Sequence, residues 1–386
     1  MDTNKKRGLV LKKSYYSLAV LGFMAATAAQ AQSSVTAYGI IDAGVMTQSN
    51  SGTPSAGRTT SFVDAQILPS IYGFKGSEDL GGGLTAGFNL EGGFNSGNGT
   101  HNSPGIYQTQ VFAREAKVTL GGDWGTVGAG LQVDPGIIAE ISTEPRGMPN
   151  SFSMVEYWIA ATAGNNATGG GALQGGIFDQ NALTYTYAKN GLYVGTEYGF
   201  GGVAGSTAAN STESVGVSYS TGGLIVSGSF DKDNNVNPAV GGTSSQIDAF
   251  GLGYDFGSAS GLALRAQYSE FKFNYLAGST PASDVKVWGA GLDWHTSVPN
   301  KVNLSYYDAK DDGANPHAGG STTELALLDV YSLSKRTQVY AQLVSVKTDA
   351  NAGASSVIGG VGAYTAAKAS IGDSTLYMGV GLQHAF

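Results

Sequence analysis

The last twelve residues of the chain, Thr375 to Phe386, carry the pattern that most limits what this sequence can fold into. Apolar side chains share one parity: Leu376, Met378, Val380, Leu382 and Phe386. The other parity carries Tyr377, Gly379, Gly381, Gln383 and Ala385. Because successive side chains of a β-strand point to opposite faces, this period of two predicts a strand with one apolar face. Ending such a strand on an aromatic residue is typical of a barrel whose last strand closes against its first.

The first 31 residues predict an export signal. Five basic residues form its amino-terminal region: Lys5, Lys6, Arg7, Lys12 and Lys13. The apolar core from Leu18 to Ala29 is shorter than the roughly 20 residues that a membrane-spanning helix needs. Ala29-Gln30-Ala31 matches a signal-peptide cleavage pattern. We therefore expect residues 1–31 to be removed through the Sec pathway and residues 32–386 to form one barrel domain.

Composition narrows the class of the exported chain. Without residues 1–31 it keeps 16 Lys and Arg against 28 Asp and Glu, a net charge of −12 that argues against nucleic acid as a partner. The absence of cysteine excludes a disulfide scaffold. The 59 glycines and only 10 prolines favour strands and turns over helices. Since no apolar run of about 18 residues follows the signal, the sequence predicts an outer-membrane β-barrel.

The pattern predicts sixteen antiparallel strands in pairs. Their expected ranges are 35–47, 71–77, 84–94, 111–120, 126–132, 183–188, 192–200, 215–219, 224–230, 250–256, 262–273, 285–294, 302–308, 325–333, 339–346 and 375–386. Short glycine-rich turns alternate with longer polar connections, which predicts periplasmic turns and extracellular loops. Aromatic residues such as Tyr198, Phe230 and Trp294 gather at predicted strand ends, as interfacial girdles do. This placement favours a membrane barrel over a soluble β-sandwich or β-solenoid.

The connection between Gln132 and Leu183 is the longest stretch without a clean period of two. It concentrates charge in a protein otherwise sparing with it: Asp134, Glu140, Glu144, Arg146, Glu156 and Asp179. Because a long structureless loop is uncommon and usually functional, we predict that this third loop, about residues 134–178, folds inward and narrows the lumen. The alternative is a loop that stays outside the barrel.

Five sequence motifs in order resemble the general porins of β-proteobacterial outer membranes, over essentially all of residues 32–386. The motifs span residues 34–39 with Asp42, 73–81, 125–128, 333–337 and 381–386. The resemblance implies a homotrimer of sixteen-stranded barrels in the cell outer membrane, each a water-filled channel for ions and small hydrophilic solutes. It also implies that Phe386 is an assembly signal read by the barrel-assembly machinery, and that outer-membrane lipid and lipopolysaccharide surround the barrel.

Two departures from the family pattern bear on ion selectivity. Members of the family commonly carry Arg at the positions of Ile71 and Leu131. Such arginines favour anions because they line the constriction wall. Their replacement by apolar residues, together with the net charge of −12, predicts a pore of mixed charge that is not strongly anion-selective, neutral to cation-leaning.

Strand parity assigns charged residues to the lumen. Lys75, Glu115, Lys117 and Arg265 alternate with apolar neighbours and are expected to line the pore. By the same parity Arg114 falls on the outer face, near the subunit interface, unless a bulge corrects it.

Catalysis finds little support in the sequence. The four histidines, His101, His295, His317 and His384, show no metal-ligand spacing, and no cofactor site or catalytic triad is indicated. Two other binding or structural classes stay open. One is a substrate-specific uptake channel with a solute site in the constriction, and the other is an adhesin or structural barrel with a plugged lumen.

Overall fold

A computed structural model describes ten stretches of the chain: residues 34–50, 57–101, 110–147, 149–154, 177–234, 244–274, 283–295, 299–312, 320–349 and 372–386. The predicted signal peptide lies outside the described residues. No helix among the described residues is long and apolar enough to cross a membrane.

The described residues form seventeen strands and one short helix. They are β1 (Ser34–Gln48), β2 (Thr59–Asp64), β3 (Ile71–Gly81), β4 (Leu84–Gly93), β5 (Glu115–Gly122), β6 (Gly125–Val133), α1 (Pro135–Glu140), β7 (Phe178–Lys189), β8 (Leu192–Gly199), β9 (Ser211–Thr221), β10 (Leu224–Asn234), β11 (Ser244–Asp255), β12 (Leu262–Asn274), β13 (Ser283–His295), β14 (Asn300–Asp311), β15 (Ser321–Ser332), β16 (Thr337–Thr348) and β17 (Ser374–Ala385). Every pairing between them is antiparallel, and successive strands pair with each other except β2 and β3, which both pair with β1.

The sheet closes through its last strand. β17 pairs with β16 along one edge and with β1 along the other. Phe386 extends this seam through two backbone hydrogen bonds: its N–H donates to the Gly39 carbonyl (3.0 Å), and its carbonyl oxygen accepts from the Gly39 N–H (3.2 Å). An open edge in hydrocarbon would cost several kcal/mol for each unpaired group. The predicted closure of the last strand on the first is confirmed.

Two strands share one position in the barrel wall. The carboxyl-terminal part of β1, from Ala43 to Gln48, pairs with β2, and its amino-terminal part, from Ser34 to Ile40, pairs with β3. The wall therefore has sixteen positions, as predicted, although no strand was expected at 59–64. Between β2 and β3 the residues 65–70, here called the inward turn, leave the wall. The Asp42 carboxylate holds this turn by accepting hydrogen bonds from the N–H groups of Ile67 (3.0 Å) and Leu68 (3.1 Å).

Side chains alternate across the wall as the period of two predicts. In β17 Leu376, Met378, Val380 and Leu382 are 40–58% exposed on the outer face, while Tyr377 is fully buried on the inner one. Outward apolar rows recur around the barrel, including Leu252, Leu264, Leu292, Leu304 and Leu325. This arrangement suits an outer surface in contact with lipid and an inner surface that is polar.

The core of the molecule lies inside the barrel. Residues 134–154, here called the inward segment, follow β6 and pack against the inner wall. Ile137 and Met154 of the segment form one apolar cluster with Ile247, Phe271 and Val285 of the wall. Of the predicted third loop, the structure describes residues 134–154 except residue 148, and these pack inside the barrel; residues 155–176 lie outside the described part.

Candidate functional site: the inward segment and the lumen wall

Asp134 joins the start of the inward segment to the wall. Its Oδ1 accepts hydrogen bonds from the backbone N–H groups of Gly136 (2.5 Å) and Ile137 (3.1 Å), as an N-cap residue does. It also accepts one from the Ser214 hydroxyl of β9 (2.9 Å). One carboxylate therefore begins α1 and fixes it to the barrel.

Two glycines of the wall allow α1 to lie directly against it. A Cβ at Gly195 in β8 would lie 2.7 Å from the Pro135 Cβ. A Cβ at Gly216 in β9 would lie 2.2 Å from the Pro135 carbonyl oxygen. Glycine inside a strand often marks a place where another backbone approaches closely, and both positions fit that role.

Glu140 ends α1 among polar groups of the wall. Its Oε2 accepts hydrogen bonds from the Ser227 hydroxyl (3.0 Å) and from the Gln267 side-chain amide. The Thr143 hydroxyl lies 2.6 Å from the same Ser227 hydroxyl. Burial raises the pKa of Glu140 above its ordinary value, although the hydrogen bonds from Gln267 and Ser227 lower it in part.

Glu144 and Arg146 organise the middle of the segment. The Glu144 carboxylate accepts hydrogen bonds from the backbone N–H groups of Arg146 (2.8 Å) and Met154 (3.1 Å) and from the Tyr307 hydroxyl of β14. Arg146 donates from Nη1 to the carbonyls of Ser151 (2.7 Å) and Phe152 (2.8 Å). Because both charged groups are at most 2% exposed, they stabilise the segment from within.

The inward turn meets the inward segment across the lumen. The Gln66 carbonyl accepts hydrogen bonds from the Ser151 N–H (3.2 Å) and hydroxyl (2.6 Å), and the Ile67 carbonyl accepts one from the Asn150 N–H (2.8 Å). Gln342 of β16 completes the contact by donating to Gln66 Oε1 (3.0 Å). The segment thus contacts the wall at β8 to β11 and again near β2 and β16.

Charged side chains of β3 to β5 border an open recess of the lumen. This cavity of about 410 Å³ is lined by Lys75, Glu115 and Lys117, together with Asn89 and Thr119. Lys117 Nζ lies 3.0 Å from Glu115 Oε1, whereas Lys75 lies 5.1 Å from the Tyr38 ring centre. Among the described residues no carboxylate lies within 4.0 Å of Lys75 Nζ.

Two arginines lie on other parts of the inner surface. Arg265 of β12 donates from Nε to the Ser142 carbonyl (3.0 Å), so it fixes the segment just after α1. Arg114 precedes β5, and its Nε lies 2.6 Å from Glu91 Oε1 of the inner face. Arg114 does not lie on the outer face as predicted, because β5 begins at Glu115 and not at Val111.

The predicted site residues therefore fall into three groups. Lys75, Glu115, Lys117 and Arg265 lie on the inner wall. Asp134, Glu140, Glu144 and Arg146 were expected on the pore surface, but they are at most 4% exposed because the segment folds over them. Glu156 lies outside the described residues. Sequence reasoning did not single out the partners that receive the segment, among them Gln66, Ser214 and Tyr307, because they come from distant strands.

Three carboxylates of the wall lie beside the start of the inward segment, and the sequence pattern singled out one of them, Asp179, but not Glu197 or Asp231. Asp179 of β7 and Glu197 of β8 each place one oxygen within 4.8 Å of an oxygen of Asp134, and Asp231 of β10 lies beside them. Among the described residues, Asp134, Asp179 and Glu197 are the group of acidic side chains that could hold a metal ion.

The model of the Gram-negative porin family matches residues 17–351. The chain belongs to the Gram-negative porin family. Outer membrane porin protein 32 of Delftia acidovorans is 31% identical to it over 97% of this chain and 100% of its own length. A second outer membrane porin protein, from Bordetella pertussis, is 29% identical over 86% of this chain and 93% of its own.

Solved porin structures share the fold. The anion-selective porin from Comamonas acidovorans superposes with a TM-score of 0.75 over 92% of this chain and 100% of its own, at 23% identity. The trimer form of OmpT from Vibrio cholerae gives a TM-score of 0.64 at 12% identity, over 92% of this chain and 99% of its own. The protein is thus an outer-membrane porin with a closed sixteen-position barrel, and porins are channels rather than enzymes.

Proposed function

We propose that the protein forms a water-filled channel through which ions and small hydrophilic solutes diffuse passively, narrowed by the third loop. The support is the pair of anchors of the inward segment. Asp134 bonds to Ser214 at one side of the lumen, and Ser151 bonds to Gln66 at the other. A segment held at both ends divides the lumen permanently, as a constriction must.

Within this channel we propose a lumen of mixed charge without strong anion preference. Five described cations lie on the inner face, and three of them have a carboxylate partner: Arg114 with Glu91 (2.6 Å), Lys117 with Glu115 (3.0 Å) and Lys301 with Asp293 (3.1 Å). Paired charges attract mobile ions of either sign weakly. The inner-facing Ile71 and the neighbouring Leu131 add no charge of their own.

Anion selectivity is the second candidate. The observation that favours it is Lys75, an exposed lumenal cation without a carboxylate within 4.0 Å among the described residues. The reversal potential across a planar bilayer in a salt gradient separates the two candidates. A potential near zero supports the mixed lumen, and a potential close to the chloride equilibrium value supports anion selectivity.

Export processing and subunit assembly belong to the same proposal. The mature chain starts at Gln32, which amino-terminal sequencing of the purified protein would test.

Three chains form a homotrimer, consistent with the trimeric form among the structural neighbours. Cross-linking in detergent is expected to yield three subunits, and a monomer that conducts would overturn this assembly.

Phe386 is proposed as the signal for the barrel-assembly machinery. Its ring is 51% exposed although its backbone completes the seam with Gly39, so the ring is available to a partner. Replacing Phe386 by Ala is expected to lower the yield of assembled protein much more than the conductance of the channels that form. Normal assembly would remove this role and leave the seam intact.

An outward charged patch is proposed to contact lipopolysaccharide. Lys272 Nζ lies 2.7 Å from Glu270 Oε2, and Lys286 Nζ 3.3 Å from Asp312 Oδ2, at the ends of β12 to β14 away from the short turns. The patch borders the ring pair of Tyr268 and Trp288, which suits the boundary between lipid and head groups. Replacing Lys272 and Lys286 by Ala is expected to reduce the lipopolysaccharide that copurifies; unchanged amounts would contradict it.

A further inference from the structure

A cluster of carboxylates lies between α1 and the wall, outside the open recess of the lumen. One oxygen each of Asp134, Asp179 and Glu197 lies within 4.8 Å of the other two. The three residues come from the inward segment, β7 and β8, and they are only 4–5% exposed. The barrel therefore brings three negative charges together in a place that water barely reaches.

Protein groups do not balance these charges. Within the described residues, none of the ion pairs includes Asp134, Asp179 or Glu197. In the described part of the chain, no hydrogen-bond donor reaches either carboxylate oxygen of Glu197 or Oδ1 of Asp179. A buried carboxylate that is neither paired nor hydrogen-bonded costs several kcal/mol, so such groups neutralise or coordinate metals.

A fourth side chain points independently to the same place. Asp231 of β10 is 8% exposed, neither of its oxygens has a hydrogen-bond donor among the described residues, and the charges of Asp134 and Asp179 act on it. A Cβ at Gly136 would lie 2.5 Å from Asp231 Oδ2, so the sequence leaves room for this carboxylate against α1. A buried carboxylate without a described hydrogen-bond donor, next to three further carboxylates, is the arrangement expected of a cation-binding cavity.

We propose that Asp134, Asp179 and Glu197 bind a divalent cation, with Asp231 completing the oxygen ligands. All donors are hard carboxylate oxygens, which suit Ca²⁺ or Mg²⁺ rather than ions that prefer sulfur or nitrogen. Ca²⁺ fits better, because it takes six to eight oxygens at about 2.3–2.6 Å in flexible geometry, whereas Mg²⁺ demands a near-ideal octahedron. The bound ion would join the start of the inward segment to three strands.

This inference goes beyond passive diffusion and does not depend on the selectivity of the channel. A cation at this point would make the anchoring of the inward segment depend on divalent ions in the surroundings. Removal of the ion would leave like charges in contact and weaken the attachment of α1 to the wall.

The test uses the purified, fully assembled protein in detergent. After treatment with EDTA it is titrated with CaCl₂ by calorimetry, and its thermal unfolding is recorded with and without Ca²⁺. We expect saturable binding of one Ca²⁺ per chain with a dissociation constant below about 1 mM, the weak end of extracellular calcium sites. We also expect the unfolding temperature to rise with Ca²⁺.

Matched variants locate the site. Glu197→Gln keeps the shape of the side chain and removes a ligand charge, and Asp179→Asn does the same in β7. Mutating a residue that only hydrogen-bonds a metal ligand weakens metal binding roughly 10- to 100-fold. Because these variants change ligands themselves, each is expected to weaken Ca²⁺ binding at least that much. Glu270→Gln is the control, since Glu270 lies on the outer face beside Lys272, and its Ca²⁺ affinity should match the wild type.

Two results would overturn the proposal. One is wild-type protein that shows no saturable binding at about 1 mM Ca²⁺, a result that does not depend on the folding of any variant. The other is unchanged Ca²⁺ affinity in Glu197→Gln together with higher stability in EDTA, which would show that the carboxyl groups share protons instead. Mg²⁺ in place of Ca²⁺ tests the choice of ion.

Discussion

Two regions of the inner wall carry inward-facing carboxylates whose surroundings differ: the open wall, formed by β3 to β5, and the covered wall, formed by β7 to β10. On β3 to β5 the carboxylate Glu115 faces an open recess and pairs with Lys117 at 3.0 Å. On β7 to β10 the carboxylates of Asp179, Glu197 and Asp231 lie under α1, and none of them forms an ion pair with another described residue. The charged side chains of the open wall are accessible from the lumen, whereas the carboxylates of the covered wall lie against the inward segment.

The comparison shows that alternation along a strand determines only which face a side chain occupies. Whether an inward charge meets water depends on what covers it. Gly195 and Gly216 let α1 lie against the covered wall, whereas the recess beside Lys75 stays open. The inward segment therefore decides which lumenal charges can act on permeating ions.

The largest effect is expected from releasing the inward segment. Arg146→Ala removes the hydrogen-bond donor to the carbonyls of Ser151 and Phe152. It also removes a positive charge from the neighbourhood of the buried Glu144 carboxylate. Hydrogen bonds to charged groups contribute about 1.5–3 kcal/mol each, so the variant should be clearly less stable than the wild type. Thermal denaturation in detergent should show the loss, and single-channel conductance should become larger and noisier.

Arg336→Ala provides the control for that variant. Arg336 is exposed in the short turn between β15 and β16, so its removal should leave both stability and conductance unchanged. Equal behaviour of the two variants would show that the segment does not depend on Arg146.

A smaller effect is expected from pushing α1 away from the covered wall. Gly216→Leu places a side chain where the Pro135 carbonyl oxygen now lies, and overpacking of this kind costs roughly 1–3 kcal/mol. The displaced helix should narrow the channel and lower its conductance. Val217→Leu, on the outer face of the same strand, should conduct like the wild type. A normal conductance in Gly216→Leu would argue that α1 does not border the permeation path.

Much of this fold could be predicted because a period of two is local. The alternation in residues 375–386 was enough to predict the outward row, the inward row and the seam with β1. The contacts of the segment with Ser214, Tyr307 and Gln66 could not be predicted, because they join residues far apart in the chain. Only the closed barrel brings those residues together.

Parity arguments also fail where a strand starts later than its pattern suggests. Arg114 was assigned to the outer face as part of a strand from Val111, yet it lies in a turn before β5 and bonds to Glu91. The inward turn was missed for a related reason, since residues 65–70 break one wall position into β2 and β3. Residue pattern alone does not reveal such interruptions.

A third prediction concerns the open wall. Lys75→Glu reverses the lumenal cation that has no carboxylate partner within 4.0 Å among the described residues. The reversal potential in a salt gradient should shift toward cations, by more than for Lys117→Glu, whose lysine is already paired. Lys347→Glu on the exposed outer face is the control and should leave the potential unchanged. A shift of equal size in the control would place the selectivity outside the lumen.

The smallest effect concerns pH at the covered wall. Burial raises the pKa of Glu140, so the folded protein binds this proton more tightly than the unfolded chain does. Its contribution to stability is therefore fully present below the ordinary glutamate value and is lost as the pH rises through the raised pKa. Glu140→Gln should flatten this part of the profile of unfolding temperature against pH. An unchanged slope would show that Glu140 does not titrate in this way.

The most direct measurement is a planar-bilayer recording of the wild-type protein at increasing salt and with a series of small hydrophilic solutes. A water-filled channel narrowed by the inward segment predicts discrete conductance steps that rise in proportion to salt and are not blocked by any one solute. Saturation or blockade by a single solute would indicate a specific uptake site. A complete lack of conductance in correctly assembled protein would mean a plugged barrel and would contradict the account.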